Sequence, residues 1–562
     1  MQEFFWPIFY FVRSNILNNH IIPLWNNVFL SGTPLLPDPQ SPLFYLPNIL
    51  FLIFDVDSAF ILSILIHAFI GGVGIYLLTK KVFTSFLYIS SPIIASFLEA
   101  GHFGIIQAFA WIPFVLYFVL RLTSLKQSSL LAIFLSLIFF THLPTFLIIS
   151  VVALILGFKK LRYLIPTFLI CLGLISVALL PQLEWQPFTT RSILLEKPDI
   201  YPKWSSKFEF LKAIFIPWRL TSLNTEKVIT LGILPSVLAL VGFLSFKKNK
   251  LIITVLGLGL ILLTLGTLSP IYSLLIKLPI YNLMRVSSRF FIPIFLLIVF
   301  FSSKALKKVG KLKNILTALA IGESVLLSWM WLGRSFTLPS FAPKAVYELL
   351  ASDNSKFRVF CLTRCLSQKY ASIYNLELVD GYTTLPQKNI YQYGWEITDS
   401  FWDYYTLSIP PLGLYKFEKI HPDVKHLGIL NTKYIISPYN LKNPDLLLTK
   451  KVADYFIYKN KLFAPRVIGG EIINYSPNNI KIKVTNPVDN KLILSEIYTP
   501  GWKALANGTE IPILESPLIF RSVSLSPETS EVTFSYFPDS FRLGLLITVA
   551  TSIFTAALLI KK

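Results

Sequence analysis

Charge is what this chain has least of. Only 14% of its 562 residues are charged, while 54% are hydrophobic and 15% aromatic; a soluble domain carries roughly 25% charge. That shortage excludes a disordered chain, a coiled coil and an ordinary soluble enzyme. Cysteine is nearly absent, with three in all, which leaves neither a disulfide framework nor a cluster of zinc thiolates. No glycine-rich loop of the kind that cradles phosphate is present, so a soluble nucleotide-sugar donor finds no support. There is no tripartite secretory signal. The opening residues MQEFFWPIFYFVRSN are apolar for only about nine positions, too few to span a bilayer. Internal repeats and low-complexity segments are lacking as well.

What the chain has instead is apolar runs near spanning length, at 58–79, 82–99, 104–120, 129–157, 161–180, 229–246, 251–267, 290–306, 314–332 and 542–560. Thr141-His142-Leu143-Pro144 interrupts the fourth run. Proline ends helices and restrains the residue before it, so that run reads as a hairpin of two short helices. Lys and Arg outnumber Asp and Glu by 51 to 30, a net charge of +21. The excess does not indicate nucleic acid, because the basic residues sit in short clusters between apolar runs: Lys80-Lys81, Arg121 with Lys126, Lys159-Lys160-Arg162, Lys247-Lys248-Lys250, Lys304 to Lys313 and Lys561-Lys562. With the hairpin counted, alternate connections carry these clusters, as the positive-inside rule requires, and the chain has about eleven transmembrane helices.

This pattern predicts a polytopic α-helical membrane protein of the bacterial cytoplasmic membrane. Segments 1–57, 181–228, 267–289 and 334–541 lie outside and the C-terminus is cytosolic. Residues 58–333 form the helical domain and 542–562 a final helix. A chain that starts outside with no helix to carry it there reads most simply as one lacking its first helix, with Met1 an internal start or the chain a fragment. Residues 334–541 predict a mixed outer domain. Ile480, Ile482 and Val484 alternate with lysines, as do Val532, Phe534 and Tyr536 with polar residues, which marks half-buried strands. Asn507-Gly508 marks a hairpin turn rather than a glycan acceptor. From about 430 onward a β-sandwich is expected, and 341–430 mixes helix and strand. Cys361 and Cys365 could pair in an oxidising compartment or remain buried thiols; their spacing leaves both open. Glu323 falls in the middle of a membrane run, where a carboxylate needs a partner, and a structural role is the better reading.

The first outer segment is rich in proline and aromatics: Pro23-Leu24-Trp25-Asn26, Gly32-Thr33-Pro34, then Asp38-Pro39-Gln40-Ser41-Pro42-Leu43-Phe44-Tyr45-Leu46-Pro47. Gly101-His102, Ala110-Trp111-Ile112-Pro113, Leu180-Pro181-Gln182 with Glu184, and Met284-Arg285-Val286-Ser287-Ser288-Arg289-Phe290 follow. In the outer domain come Lys433-Tyr434-Ile435-Ile436, Pro500-Gly501-Trp502-Lys503 and Phe520-Arg521-Ser522-Val523. In this order the motifs resemble the YfhO-type bacterial membrane proteins over nearly the whole chain. That family is similar to GT-C glycosyltransferases. The resemblance implies a membrane glycosyltransferase, of hexosyltransferase type. It would move a sugar, with inversion, from a polyprenyl-phosphate donor to a cell-envelope glycan or lipid at the outer face. Two departures stand out. The family's aspartate before the Phe4-Phe5-Trp6-Pro7 segment is replaced by Gln2-Glu3, and Ser288 stands where proline is usual.

Given that implication, inverting transfer needs a carboxylate to take the acceptor proton. Asp38, held between two prolines, is the preferred candidate, with a turn aspartate as its alternative; Glu3 is a candidate by position alone. Arg285 and Arg289, four apart, share one face on a helical path and suit a phosphate leaving group. His102 and Glu99 in a tight turn could orient a sugar hydroxyl. Glu184 with Trp185 is a carboxylate-indole pair suited to sugar. No metal site is read from the sequence, and the need for a divalent cation stays open. A lipid or glycan transporter would show paired charges in several helices and repeated halves; a non-catalytic envelope scaffold is the third reading.

Overall fold

The computed structural model describes residues 1–195, 200–208, 230–247, 250–278, 280–306, 308–333, 341–398, 408–409, 421–516 and 519–560. Of the basic residues in the clusters above, Lys248, Lys307, Lys561 and Lys562 lie outside these, as do 196–199 and 209–228 of the 181–228 segment.

Among the described residues, seven stretches are long and apolar enough to cross a membrane: Val56–Thr79, Val82–Glu99, Phe103–Arg121, Leu143–Phe188, Ser287–Ala305, Gly310–Leu332 and Asp539–Ile560. The protein is therefore polytopic, but seven is fewer than the eleven or so expected. The difference has a local cause. Leu125–Thr141, Ile233–Leu244 and Lys250–Thr264 have 17, 12 and 15 residues, below the roughly 20 that a perpendicular crossing takes. Leu143–Phe188 is itself two helices, Leu143–Gly157 and Leu161–Trp185, counted once. Breaks also fall inside runs without changing the count. Ser91 caps a new helix at Pro92, splitting Val82–Ile89 from Pro92–Glu99. His142 separates Leu125–Thr141 from Leu143–Gly157; its ring accepts from the Thr145 N–H at 3.2 Å, capping the second helix where Pro144 forbids continuation. Gly104 allows this corner to close, since a Cβ there would lie 2.3 Å from the Thr141 carbonyl oxygen.

Glu323 is structural. Its carboxylate accepts from the N–H groups of Ile233 (2.7 Å) and Leu234 (2.9 Å), capping Ile233–Leu244. The positive end of that helix compensates the carboxylate.

The N-terminal segment is not all loop. Phe5–Asn19 is a helix whose Phe5, Trp6, Ile8, Phe9, Phe11 and Val12 are buried. The period of these residues is helical, and the aromatic core around Phe51, Phe60 and Phe103 covers them.

The globular domain has two parts. In the first, a mixed sheet runs in the order Glu377–Leu378, Arg358–Cys361, Thr432–Ser437, Tyr455–Asn460, Leu446–Val452. Its first three strands are parallel and the rest antiparallel. Cys361 and Cys365 form a disulfide at the C-terminal end of the strand Arg358–Cys361. The second part is a sandwich of a four-stranded and a five-stranded antiparallel sheet. Ile480, Ile482, Leu492, Leu494, Val523, Val532 and Phe534 fill the space between them, the alternation read from the sequence. Asn507 and Gly508 have φ of 46° and 86°, the left-handed pair that a tight hairpin between Trp502–Ala506 and Thr509–Ile511 requires.

A buried ion network joins the two parts. Glu496 accepts from Arg466 at 2.7 Å, from Arg358 at 3.1 Å and from the Tyr475 hydroxyl at 2.8 Å. Glu377 accepts from the other arm of Arg466 at 2.6 Å and from Lys356. Against the cost of burial, Arg466, Lys356 and Arg358 hold the Glu377 carboxyl below the usual range. Glu496 is lowered too, where Arg358 and Arg466 overcome its burial.

The first membrane-side loop docks on this construction. Leu378 N–H donates to Val28, Ser31 N–H to Leu378 and Leu30 N–H to Asp380, so residues 28–31 extend the mixed sheet. Asn27 bonds Glu377, and Arg358 bonds the Ser31 carbonyl.

Removing one member strands the others without compensation, which costs about 3–5 kcal/mol for a buried pair. Glu496→Gln is accordingly expected to lower the stability of the purified full chain by that amount, read from denaturant midpoints in detergent. A loss below about 1 kcal/mol, the range of surface pairs, would contradict a buried network.

Candidate active site

Five chain segments meet where the helices reach the globular domain. They are the loop around Asp38, the turns at Glu99–His102 and His142, the chain after Trp185, and 284–290.

Asp38 is 7% exposed. Its Oδ1 accepts from the Gln40 N–H at 2.8 Å, an Asx turn, and its Oδ2 accepts from the Thr383 hydroxyl at 3.2 Å. The loop is fixed from below. Tyr45 accepts from Trp111 Nε1 at 2.6 Å and contacts His67 Nε2 at 2.6 Å. From the sandwich, Asn478 grips the backbone of Ile22 and Leu24, and Trp25 packs edge-on against Trp502. Burial pushes the Asp38 carboxyl up, opposed by the Gln40 and threonine hydrogen bonds and by the charge of Arg191.

Arg191 was not picked out by the sequence reading. It begins a short helix, Thr190–Leu195, just past the Trp185 end of its long helix. The Thr190 N–H bonds the Pro386 carbonyl, and Thr189 bridges Gln387, so the globular domain holds this turn in place. Burial, then the facing charges of Arg285 and Arg289, push the Arg191 guanidinium down to about 9; Tyr382 and Asp38 oppose the shift. A guanidinium keeps its proton, so an anion, rather than deprotonation, relieves three arginines in one place. No periodic signal could have found Arg191, because its neighbours come from other segments.

Arg285 and Arg289 do meet at Arg191, but not as expected. Val286 is extended, and a 3-10 turn starts at Ser287, so the two arginines do not share a helical face. The segment is pinned instead. The Tyr272 hydroxyl donates to the carbonyls of Met284 (2.9 Å) and Arg285 (3.1 Å), and Ser287 donates to Thr264 at 2.8 Å. Ser287 thus serves as an anchor. Arg285 stacks over Trp204 at 4.8 Å.

His102 lies at the start of Phe103–Arg121, edge-on to Phe97, and is an electrostatic neighbour of His142, as is Arg289. Glu99 ends the preceding helix, half-buried. Glu3 stands apart. Its carboxylate accepts from the Ser367 hydroxyl and from the Gln368 N–H at 2.8 Å, tying the first helix to the globular domain. Glu184 accepts from the Ser540 hydroxyl, and Trp185 stacks with Phe188. Both line a narrow crevice with Pro37, Pro181, Pro500, Tyr536 and Pro538, so Pro37, beside Asp38, brings them to the edge of the cluster. Among the described residues no group of three or more His, Cys, Asp or Glu is arranged to hold a metal.

The globular domain supplies more than a roof. Gln368 holds both the N–H (2.6 Å) and the carbonyl (3.2 Å) of Tyr382, which sets Tyr382 near Arg191 and Thr383 on Asp38. In the same strand region, Asp380 is fully buried beside Arg364, and burial raises its carboxyl to about 7 despite that arginine.

A family model described as "Bacterial membrane protein YfhO" matches residues 469–548, most of the sandwich and the start of the last helix; the resemblance stands over that stretch. Among solved structures, the chain is similar to a cryo-EM structure of the arabinofuranosyltransferase AftD from Mycobacteria. Identity is 12%, 94% of this chain and 55% of that one are covered, and the TM-score is 0.45. For a mutant of that enzyme, the values are 11%, 94%, 57% and 0.44. The chain spans about half the length of these structures. No curated protein matches.

The raised Asp380 gives a pH signature. Its folded value lies above its unfolded one, so the folded state keeps a proton that the unfolded state has lost. Stability therefore falls as pH climbs from about 4 to about 7, and levels off above that. Denaturant midpoints across this window should show the decline, and Asp380→Asn should make it shallower. An unchanged slope in the variant would remove Asp380 as its source.

Proposed function

We propose that this protein is a GT-C-like membrane glycosyltransferase. It takes a sugar from a polyprenyl-phosphate donor and delivers it to a cell-envelope glycan or lipid on the outer face of the bacterial cytoplasmic membrane. The observation that carries the reading is the convergence of Arg191, Arg285 and Arg289 on one side of a buried carboxylate, Asp38, where membrane helices meet the globular domain. A lipid-linked phosphate can reach such a place from within the bilayer, and its charge would balance the three guanidiniums.

In this reading the acceptor hydroxyl oxygen attacks the anomeric carbon. The bond from that carbon to the phosphate oxygen breaks, and the leaving polyprenyl phosphate gathers negative charge against Arg285, Arg289 and Arg191. The proton of the hydroxyl passes to Asp38, whose burial raises its carboxyl above the ordinary range and so makes it a better proton acceptor. Thr383 positions Asp38 through Oδ2. Glu99 and His102 orient the sugar, and Glu184 with Trp185 borders the acceptor path beneath the sandwich. The C-terminus is cytosolic.

The Asx turn at Asp38 favours one other reading, a scaffold in which this carboxylate only shapes a loop. The two part in a transfer assay on the full chain in membranes with a labelled polyprenyl-phosphate sugar. Asp38→Asn is expected to lower turnover about 10²–10⁴-fold, and Arg285→Gln about 10²–10³-fold, with folding checked by denaturant midpoint. In a deletion strain, a lost envelope sugar should return with the wild-type chain and not with Asp38→Ala. Return with both would make Asp38 a turn residue, and envelope sugars that never change would remove the transferase reading.

A further inference from the structure

The membrane face opposite the globular domain contains a cavity of about 300 Å³ lined by Lys81, Ser303, Leu306, Gly310 and Lys313. Three helices build it. Lys81 precedes Val82–Ile89, Ser303 lies in the last turn of Phe291–Ala305, and Lys313 opens Lys313–Leu332. Val82–Ile89 packs on both of the other two, and the two lysines, far apart in sequence, line one hollow. Gly310 has φ +54, and a Cβ there would meet nothing within 4 Å, so the floor is open.

The chemistry of the wall is of one sign. Between residues 58 and 98, 100 and 183, and 230 and 322, and again after Asp539, the sequence contains no Asp or Glu. The helix ends on this face therefore carry lysine and arginine with no carboxylate in the same connections to balance them. The helix that begins at Lys313 likewise has no acidic residue in its first turn and no side-chain cap. The cavity thus offers two ammonium groups beside the ends of apolar helices, while the Ser303 hydroxyl in its wall donates to the Phe300 carbonyl at 2.7 Å.

We propose that this cavity binds the phosphate of an anionic phospholipid headgroup. Lys81 and Lys313 pair with the phosphodiester, and the acyl chains lie along the apolar helix surface. A zwitterionic headgroup places a quaternary ammonium against the two lysines and is disfavoured. The site is independent of the transfer reaction and stands whether or not that reading holds.

The test uses the full chain, purified in detergent and examined by native mass spectrometry with added phosphatidylglycerol, phosphatidylcholine or inorganic phosphate. Phosphatidylglycerol should be retained and phosphatidylcholine not. Lys81→Gln with Lys313→Gln should weaken retention about 30-fold, at about 1 kcal/mol per lysine. The control pair Lys126→Gln with Lys247→Gln, at the same face outside the cavity, should retain the lipid as the wild type does. Equal loss in both pairs would mean general surface charge and overturn the proposal. So would equal retention of the two lipids, or displacement of phosphatidylglycerol by millimolar inorganic phosphate. An acidic protein that co-purifies and is lost with Lys81→Gln and Lys313→Gln, while lipid retention is unchanged, would assign the cavity to a protein instead.

Discussion

Arg466 is the centre on which the architecture turns. One guanidinium spans two carboxylates, Glu377 in the mixed sheet and Glu496 in the sandwich, and Arg358 closes the ring from the mixed sheet. Isolated charges at such burial would be prohibitive, and the fork of arginine is the group that satisfies two acceptors at once. The ring fixes the angle between the two parts of the domain. It also fixes the membrane-side loop, because Arg358 and Glu377 each reach a loop residue. The loop around residues 27–31 takes its position from that arrangement.

The consequence for the site is that its parts do not come from the helices alone. The strand region from Glu377 to Gln387 carries, in order, a member of the ion ring, the buried Asp380, Tyr382 beside the arginines, Thr383 on Asp38, and the bridge that holds the Arg191 turn. An eleven-residue stretch of the globular domain thus organises both the acidic and the basic side of the cluster. The helices contribute the other half through rigid corners, where Gly104 and His142 bring two turns together and Tyr272 and Ser287 lock the arginine segment.

Much of this was legible in the residues. Periodicity and basic clusters marked the helices and their shared face, the proline at 144 marked the hairpin, and alternation marked the sandwich strands. Glu323 announced a partner by its depth. Asp38 and both arginines lie at the cluster, although the helical path assumed for 285–289 is broken by an extended Val286. What was not legible depends on contacts between distant segments. Arg191 is one basic residue in a polar loop until Arg285, Arg289 and Asp38 surround it. Thr383 and Tyr382 carry no motif. Glu3 has the right residue type near the right place, yet Ser367 and Gln368 engage it. The pairing of Cys361 with Cys365, open by spacing, is decided by a turn that brings their Cα atoms to 5.7 Å.

The pairing of residues 28–31 with the edge of the mixed sheet bears on the order of events during synthesis. Asn27 and Glu377 are separated by 350 positions, and loop closure across such a distance carries an entropic cost before any contact rewards it. The first membrane-side loop emerges early, but the strand it completes is made after most of the helices. Until then its backbone groups have no sheet to join. Assembly of the cluster is therefore a late step, in which the beginning of the chain waits for its end, and a ribosome halted before the globular domain would leave helices in place with the loop beside them unpaired.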